Sequence, residues 1–416
     1  MTKQINPKTV AVIGAGSRGM VFGTLISSSF PHLGRVVAVA EPRQEYRQSF
    51  SATHAIPVKL QFESWREFVE QPKLCDAVVI STMDRDHVGP AVACLKKGYD
   101  LLLEKPMATT LEDCRAIEAA QRENGAIVAV CHSLRYQKGF RKAADLIAGG
   151  AIGRLITMDQ LEDVAFWHQA HSFVRGNWGN ESRSAFMLLA KSCHDIDYLA
   201  FLARKPCLRV CSFGALTYFR RENAPAGSAE RCTDNCPVES ECAYSAIKRY
   251  VDANRESWPA NVISHDHSRE SHYEAIRTGP YGRCVFKCDN DVVDHQVVMM
   301  EFADDITATF TMTAFGAGLH RLLRAHGTEG ELTFQESIIT INTFKDNNRT
   351  VINVMPESGG HGGGDTRVAR EWLLALHSRD DSHIVANAQE SLRTHTIVFA
   401  AEKSRREKRL IEIASL

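Results

Sequence analysis

The feature that most constrains this chain lies within its first forty-one residues, where an apolar run, a glycine turn and an acid follow one another. Residues 8–13, KTVAVI, read as a short buried strand. Gly14, Gly16 and Gly19 follow as G-A-G-S-R-G, and the apolar stretch from Met20 to Ile26 predicts a helix. Strand, glycine turn and helix in that order suit a dinucleotide. Gly14 permits the tight turn, Gly16 lets the backbone approach a diphosphate, and Gly19 lets the helix pack close to the strand. The helix start, at Ser17 and Arg18, offers free N–H groups and a positive dipole end to the phosphates. A second strand, Arg35 to Ala40, closes on Glu41. A carboxylate there accepts hydrogen bonds from the adenosine ribose and repels a 2′-phosphate, which favours NAD. Arg43 counts the other way, since it can pair with that phosphate, so NADP is the less favoured cofactor. The bland alternative is a surface acid in an α/β domain that binds nothing.

The alternation continues. Cys75 to Ser81 predicts a strand, His87 to Lys97 a helix, Asp100 to Glu104 a strand, Thr109 to Asn124 a helix, and Ala126 to Cys131 a strand. Strands alternating with helices of this length imply parallel βαβ units. Ligands bind outside the carboxyl ends of such strands. Thr82, His87, Glu104, Lys105 and His132 all fall there and join the candidate cofactor-binding residues.

Lys and Arg total 49 against 50 Asp and Glu in 416 residues, a balance that excludes a broad basic footprint for nucleic acid. It also argues against a polybasic membrane anchor. No run of 18 apolar residues suggests a membrane span. MTKQINPK, the first eight residues, has no signal-peptide pattern, so the cytoplasm is the expected location and the twelve cysteines are expected to be reduced.

Glu104-Lys105-Pro106, closing a strand just after a glycine-rich nucleotide fold, resembles the Gfo/Idh/MocA family of NAD(P)-dependent sugar and polyol oxidoreductases. Further stretches match it at 151–155 (A-I-G-R-L), 193–197 (C-H-D-I-D), 327–332 (G-T-E-G-E-L) and 400–404 (A-A-E-K-S). The resemblance implies an α/β enzyme with an N-terminal Rossmann domain and a C-terminal α/β domain built on a large, open, mostly antiparallel sheet. The boundaries expected are 1–132 for the first domain and 133–385 for the second. A Cys-rich insertion falls at about 225–290, and 386–416 forms a helix packing back on the Rossmann domain. Independently, strand-like segments recur at His295–Phe302, Asp305–Ala314, Leu322–Gly327, Gly330–Gln335, Ser337–Phe344 and Thr350–Met355, which reads as a meander. One face of such a sheet is expected to support a homodimer or homotetramer.

Hydride transfer from a secondary alcohol needs a base for the hydroxyl proton and a cation or donor to hold the oxygen. By resemblance, Lys105 contacts both sugar and nicotinamide, and His194 matches the family's catalytic histidine. An imidazole of ordinary pKa about 6.5 suits a general base. A helix expected over Ser184 to Leu202 puts Lys191, His194 and Asp197 near one face. Many family members carry an aspartate four residues before the histidine; here Ala190 stands there beside Lys191. The carboxylate is therefore missing or supplied from elsewhere, and Lys191 becomes a third catalytic candidate. Arg135, Tyr136, Trp178, Asp291, His295 and His361 are candidate contacts for a carbohydrate or cyclitol. A glycosidase using transient ring oxidation with no net redox change is the alternative enzyme class. A non-catalytic NAD sensor would not need Lys105 and His194.

Five cysteines fall within 57 residues, as Cys232-x3-Cys236-Pro-x4-Cys242 and Cys284-x3-Cys288. Cys232, Cys236 and Cys242 with Cys288 or Cys284 are candidate ligands for a structural zinc that would staple the insertion. Unligated, partly buried thiols are the plain alternative.

Overall fold

A computed structural model describes residues 6–355, 357 and 359–416; Met1 to Ile5, the start of the segment read above as lacking a signal peptide, lie outside them. Among the described residues the strands form two sheets. In the first, β1 (Lys8–Ile13), β2 (Gly34–Ala40), β3 (Gln61–Phe62), β4 (Ala77–Ile80), β5 (Asp100–Leu103) and β6 (Val128–Val130) lie parallel in the order β3-β2-β1-β4-β5-β6. All four residues of β4 and of β5 are buried, as befits strands covered by helices on both faces. The chain order reverses between β1 and β4, so the crevice at their carboxyl ends is where ligands bind in such sheets.

Local chemistry sets the helices between them. Thr110 caps the helix Leu111–Asn124 by accepting from the Asp113 N–H, and Gly125 closes it in the left-handed conformation. Trp372 and Leu373, on the helix Gly364–Ser378, join Val10 and Phe22 in a core on one face of this sheet.

The second sheet holds β7 (Leu155–Asp163), β8 (Cys207–Ala215), β9 (His295–Phe302), β10 (Thr307–Thr313), β11 (His320–Gly327), β12 (Gly330–Gln335), β13 (Ile338–Thr343), β14 (Arg349–Asn353) and β15 (Ile411–Glu412). Its order is β14-β13-β12-β11-β7-β10-β9-β8-β15, and every pairing is antiparallel except β7 with β10. The expected meander is thus interrupted: β7, far earlier in the chain, inserts between β10 and β11.

One face of this sheet packs on the helices Cys193–Ala203 and Ala388–Glu407, with Ile196, Ile397 and Val398 meeting Val298, Phe310 and Leu323. The opposite face leaves Phe213, Val297 and Met299 exposed. Ala388–Glu407 also packs against Leu111–Asn124, so it lies between the two domains. Among the described residues no helix is long and apolar enough to cross a membrane.

Candidate active site

The glycine turn has the shape that its sequence requires. Gly14 has φ +88°, and a Cβ there would stand 2.6 Å from the Ser81 carbonyl oxygen. A Cβ on Gly19 would stand 2.0 Å from the Gly14 carbonyl oxygen. At Gly16 the nearest atom is an Arg43 nitrogen at 3.4 Å, so that side of the turn is open to a diphosphate. Ser17 is exposed at the start of the helix Ser17–Thr24. Glu41 is buried and accepts from the Ala15 N–H at 2.8 Å and from Arg43 Nε at 2.7 Å. Burial opposes its ionisation, but the Arg43 hydrogen bonds win and hold the carboxyl below its ordinary range. The Arg43 guanidinium also lies over the Tyr46 ring at 3.7 Å.

The Arg18 side chain is committed within the protein. Its Nε donates to Glu104 at 2.6 Å, and its two terminal nitrogens donate to Asp365 at 2.7 and 2.9 Å. Ser133 Oγ donates to the same carboxylate at 2.7 Å, and His361 Nδ1 lies 3.0 Å from it. Burial alone would raise Asp365, yet His361 and Arg18 hold it far below the usual carboxylate range. The long reach from Arg18 to Asp365 ties the first helix of the nucleotide domain to the start of the helix Gly364–Ser378.

Lys105 stands at the centre. Glu104 accepts from its backbone N–H at 3.0 Å, and His87 Nδ1 lies 2.7 Å from the Pro106 carbonyl. The next residue, Met107, donates its N–H to His395 Nε2 at 3.0 Å, while His395 Nδ1 donates to the Ser391 carbonyl at 2.8 Å. Thr82, on the neighbouring loop, donates its hydroxyl to the Asp86 carbonyl at 3.1 Å. With its base held on both sides, the Lys105 ammonium donates across the domain boundary to the Ala190 carbonyl at 2.8 Å.

The single helix expected over 184–202 is two helices, Met187–Ala190 and Cys193–Ala203, broken at Lys191 and Ser192. The break faces Glu162 on β7. Ser192 Oγ donates to Glu162 at 2.7 Å, Lys191 Nζ lies 3.2 Å from it, and Arg321 on β11 donates to it as well. Arg321 also donates two hydrogen bonds to Asp195, at 2.8 and 3.0 Å. Lys191, His194 and Asp197 therefore do not share a face. Lys191 meets Glu162, Asp197 is held by Arg135, and His194 turns toward His132 and His361, with ring centroids 5.9 and 6.1 Å away. Glu162 thus sets a carboxylate beside Lys191, although Ala190 has none.

Burial dominates the electrostatics. It drives the His194 pKa well below 6.5, helped by the Lys105 charge and then by His132. Burial likewise takes His132 down to about 3. Lys191 is lowered by burial, with Glu162 opposing and Arg321 and Lys105 adding to the shift. Asp195 is raised to about 6 by burial, against Arg321 and with the Glu162 charge. Neither ring nitrogen of His194 has a hydrogen-bond partner among the described residues, nor has either of His132, whose Nδ1 lies 3.6 Å from Asp197. Buried, unpartnered acceptors next to a lysine at the carboxyl end of a parallel sheet fit a bound nicotinamide and an alcohol substrate.

Other residues escaped the sequence reading. His168 has a buried, unpartnered Nδ1 and feels the charges of Lys191, Glu162 and Lys105. Trp258, from the insertion, meets His168 edge-on at 4.8 Å and Trp167 at 5.4 Å. The aromatic run F-W-H at 166–168 was the available signal for His168; nothing local marked Glu162 or Arg321.

Of the six candidate substrate contacts, only His361 is brought beside His194. Arg135 is 1% exposed and donates to Asp197 at 2.6 and 2.7 Å, so its charge is already used. Tyr136 is buried in the core with Val10, Phe22 and Trp372. Trp178 donates its indole N–H to Asp84 at 2.9 Å and packs against the second core instead of presenting a free face. Asp291 accepts from the Glu181 N–H at 2.8 Å, capping a loop, and His295 pairs with Asp294 at 2.8 Å.

The zinc expectation is corrected too. Among the described residues no group of three or more His, Cys, Asp or Glu could hold a metal ion. Cys232, Cys236, Cys242 and Cys284 border a narrow apolar cavity with Val238 and Phe286, while Cys288 points its thiol at the Cys284 carbonyl, 3.3 Å away. Burial raises the thiol pKa of Cys242, Cys284 and Cys288, so these behave as small apolar side chains. The insertion is held instead by its own small core of Tyr250, Val251, Ala260 and Ile276. Arg175 adds bonds to the Arg283 and Tyr244 carbonyls, both at 2.7 Å.

Comparison with known proteins decides the family. Residues 8–132 match the profile described as "Oxidoreductase family, NAD-binding Rossmann fold", and residues 140–333 match the GFO/IDH/MocA C-terminal domain. The chain belongs to the Gfo/Idh/MocA oxidoreductase family. A Bacillus subtilis (strain 168) protein, YteT, described as an oxidoreductase, is 25% identical over 335 residues, covering 76% of each chain. The 1,5-anhydro-D-fructose reductase of Ensifer adhaerens is 33% identical over 147 residues, 35% of this chain and 42% of that protein. The scyllo-inositol dehydrogenase of Lactobacillus casei, solved with NAD(H) and scyllo-inositol, superimposes with a TM-score of 0.68 at 14% identity, covering 98% of this chain and all of the other. That last likeness shows the fold. Membership of this family makes the chain a dehydrogenase of the CH–OH type, and it favours the oxidoreductase over the redox-neutral glycosidase.

Proposed function

We propose that the chain moves a hydride between a ring hydroxyl carbon of a sugar, glycoside or cyclitol and NAD. What supports this is the Lys105 ammonium 2.8 Å from the Ala190 carbonyl, at the helix break that carries Lys191 and precedes His194, whose two ring nitrogens have no hydrogen-bond partner among the described residues. When bound, the nicotinamide supplies the hydride acceptor. Lys105 holds the substrate oxygen as negative charge develops on it. His194 is neutral because burial and Lys105 disfavour its charged form, and it offers an unpartnered ring nitrogen to the hydroxyl; it takes the proton once the developing alkoxide offsets the Lys105 charge that otherwise opposes it. Lys191, anchored by Glu162, takes a second ring hydroxyl or shares that proton. Oxidation of the carbinol to a carbonyl would release its O–H proton to His194, and NAD held by the glycine turn and Glu41 would take up the hydride.

NAD is the proposed cofactor in preference to NADP. Glu41 is ionised at the end of β2, and Arg43 already pairs with it, which leaves less of that guanidinium for a 2′-phosphate. The exposed Phe213, Val297 and Met299 on the uncovered sheet face support a homo-oligomer.

Incubation with NAD⁺ and a panel of sugars, glycosides and cyclitols tests the reading. NADH should accumulate with a matching amount of carbonyl product. Aglycone release with no net NADH would contradict it.

A further inference from the structure

We propose a second ligand site: a cleft between the insertion and the segment 175–183 that binds a small multivalent oxyanion, a phosphate or polycarboxylate group. The cavity is about 340 Å³, within the usual range for small-molecule sites, and four arginines line it: Arg175, Arg183, Arg231 and Arg283, with Asn177 and Thr278.

The arginines are poorly neutralised. Asp289 accepts from both Arg183 and Arg283, the latter at 2.8 Å, and Asp291 also stands close enough to act on Arg183, so two carboxylates face four guanidiniums. Arg283 otherwise donates to backbone, to the Pro280 carbonyl at 3.3 Å and the Arg175 carbonyl at 3.1 Å. Arg175 is 2% exposed, and its bonds go to two backbone carbonyls and to the Cys232 sulfur at 3.7 Å. Arg231 donates to the Ile276 carbonyl at 2.7 Å and to the Gly279 carbonyl, and its buried Nε has no partner among the described residues.

Stapling the insertion explains the bonds to carbonyls. It does not explain four guanidiniums around one cavity, because neutral donors would serve as well without mutual repulsion. A buried cation whose partners are all neutral is costly, and a bound oxyanion supplies the missing charge through bonds that match the guanidinium fork. The site is separate from the catalytic one. His168 ends a short helix, and Arg175 closes the π-helical segment Gln169–Arg175 that follows it, seven residues on. The inference therefore does not depend on which alcohol the enzyme oxidises.

Isothermal titration of inorganic phosphate, and in a second arm citrate, into the NAD-saturated protein tests it; saturation with NAD keeps the probe off the glycine turn. Chloride at matched ionic strength is the control. One saturable site per chain is expected for at least one probe. Arg231→Gln should weaken it about tenfold, with NAD affinity unchanged. Arg183 is half exposed, so Arg183→Gln should fold normally and weaken the site at least about threefold; it decides the matter should Arg231→Gln misfold. Absence of saturable binding of both probes to folded wild type, or equal binding by Arg183→Gln, would overturn the proposal.

Discussion

The ammonium of Lys105 donates to the carbonyl oxygen of Ala190 at 2.8 Å, hooking a strand end of the nucleotide domain onto the helix that precedes His194. Substrate oxygen can replace that carbonyl as the acceptor. Lys105→Ala should therefore lower kcat/KM at least about a hundredfold, as expected for a donor aimed at developing charge. NAD affinity by titration should stay within about threefold, since the glycine turn and Glu41 are untouched. Full turnover in the folded variant would remove Lys105 from the chemistry.

Glu162 links the second sheet to proton transfer. Its charge raises the Lys191 pKa against burial, Arg321 and Lys105, and it also raises Asp195. Glu162→Gln keeps the shape and removes the charge, so both pKa values fall. Where Lys191 shares the hydroxyl proton, the acid limb of the kcat/KM profile should move to lower pH by on the order of one unit, while a limb set by His194 alone should stay. An unmoved limb would assign it to a group other than Lys191.

Buried histidines set the acid stability. Burial lowers His132 and His171 to about 3 and His395 to about 4. Between those values and the unfolded value near 6.5, the unfolded chain binds the protons and the folded chain does not. Stability is therefore full above pH about 6.5 and falls as pH drops toward 4, by up to about 1.4 kcal/mol per histidine per pH unit. Urea midpoints measured at pH 7, 6 and 5 should fall in that order, and less steeply in His132→Asn. A flat profile would contradict the neutral, buried assignment.

Trp258 forms the insertion's contribution to the candidate site, edge-on to His168 and 43% exposed. For a glycoside whose second ring packs there, Trp258→Ala should raise KM about fivefold to tenfold, with kcat within about twofold. A single-ring substrate should be unaffected. Equal effects on both substrates would place the indole in the fold alone.

Much of this was legible in the chain because the signals were local. The glycine turn carries its own steric logic, and Glu41 and Lys105 fall at strand ends that the βαβ alternation marks. The Lys191–Glu162 pair was not legible, because it depends on β7 crossing between β10 and β11, a long-range pairing that no periodicity reports. The helix break at Lys191 has the same origin: Ser192 and Lys191 follow Glu162 instead of the helical ladder. Arg135 and Tyr136 were misread because a position after a parallel strand says nothing about where the side chain turns. Four of the cysteines border one narrow cavity, but spacing alone could not show that they would stand too far from a common point to hold a metal ion.

A crystal structure with NAD⁺ and a slowly oxidised ring alcohol tests the central claim most directly. The account predicts one substrate hydroxyl within hydrogen-bond reach of both Lys105 Nζ and a His194 ring nitrogen, its C–H pointing at the nicotinamide. A productive complex in which the reacting hydroxyl touches neither side chain would contradict it.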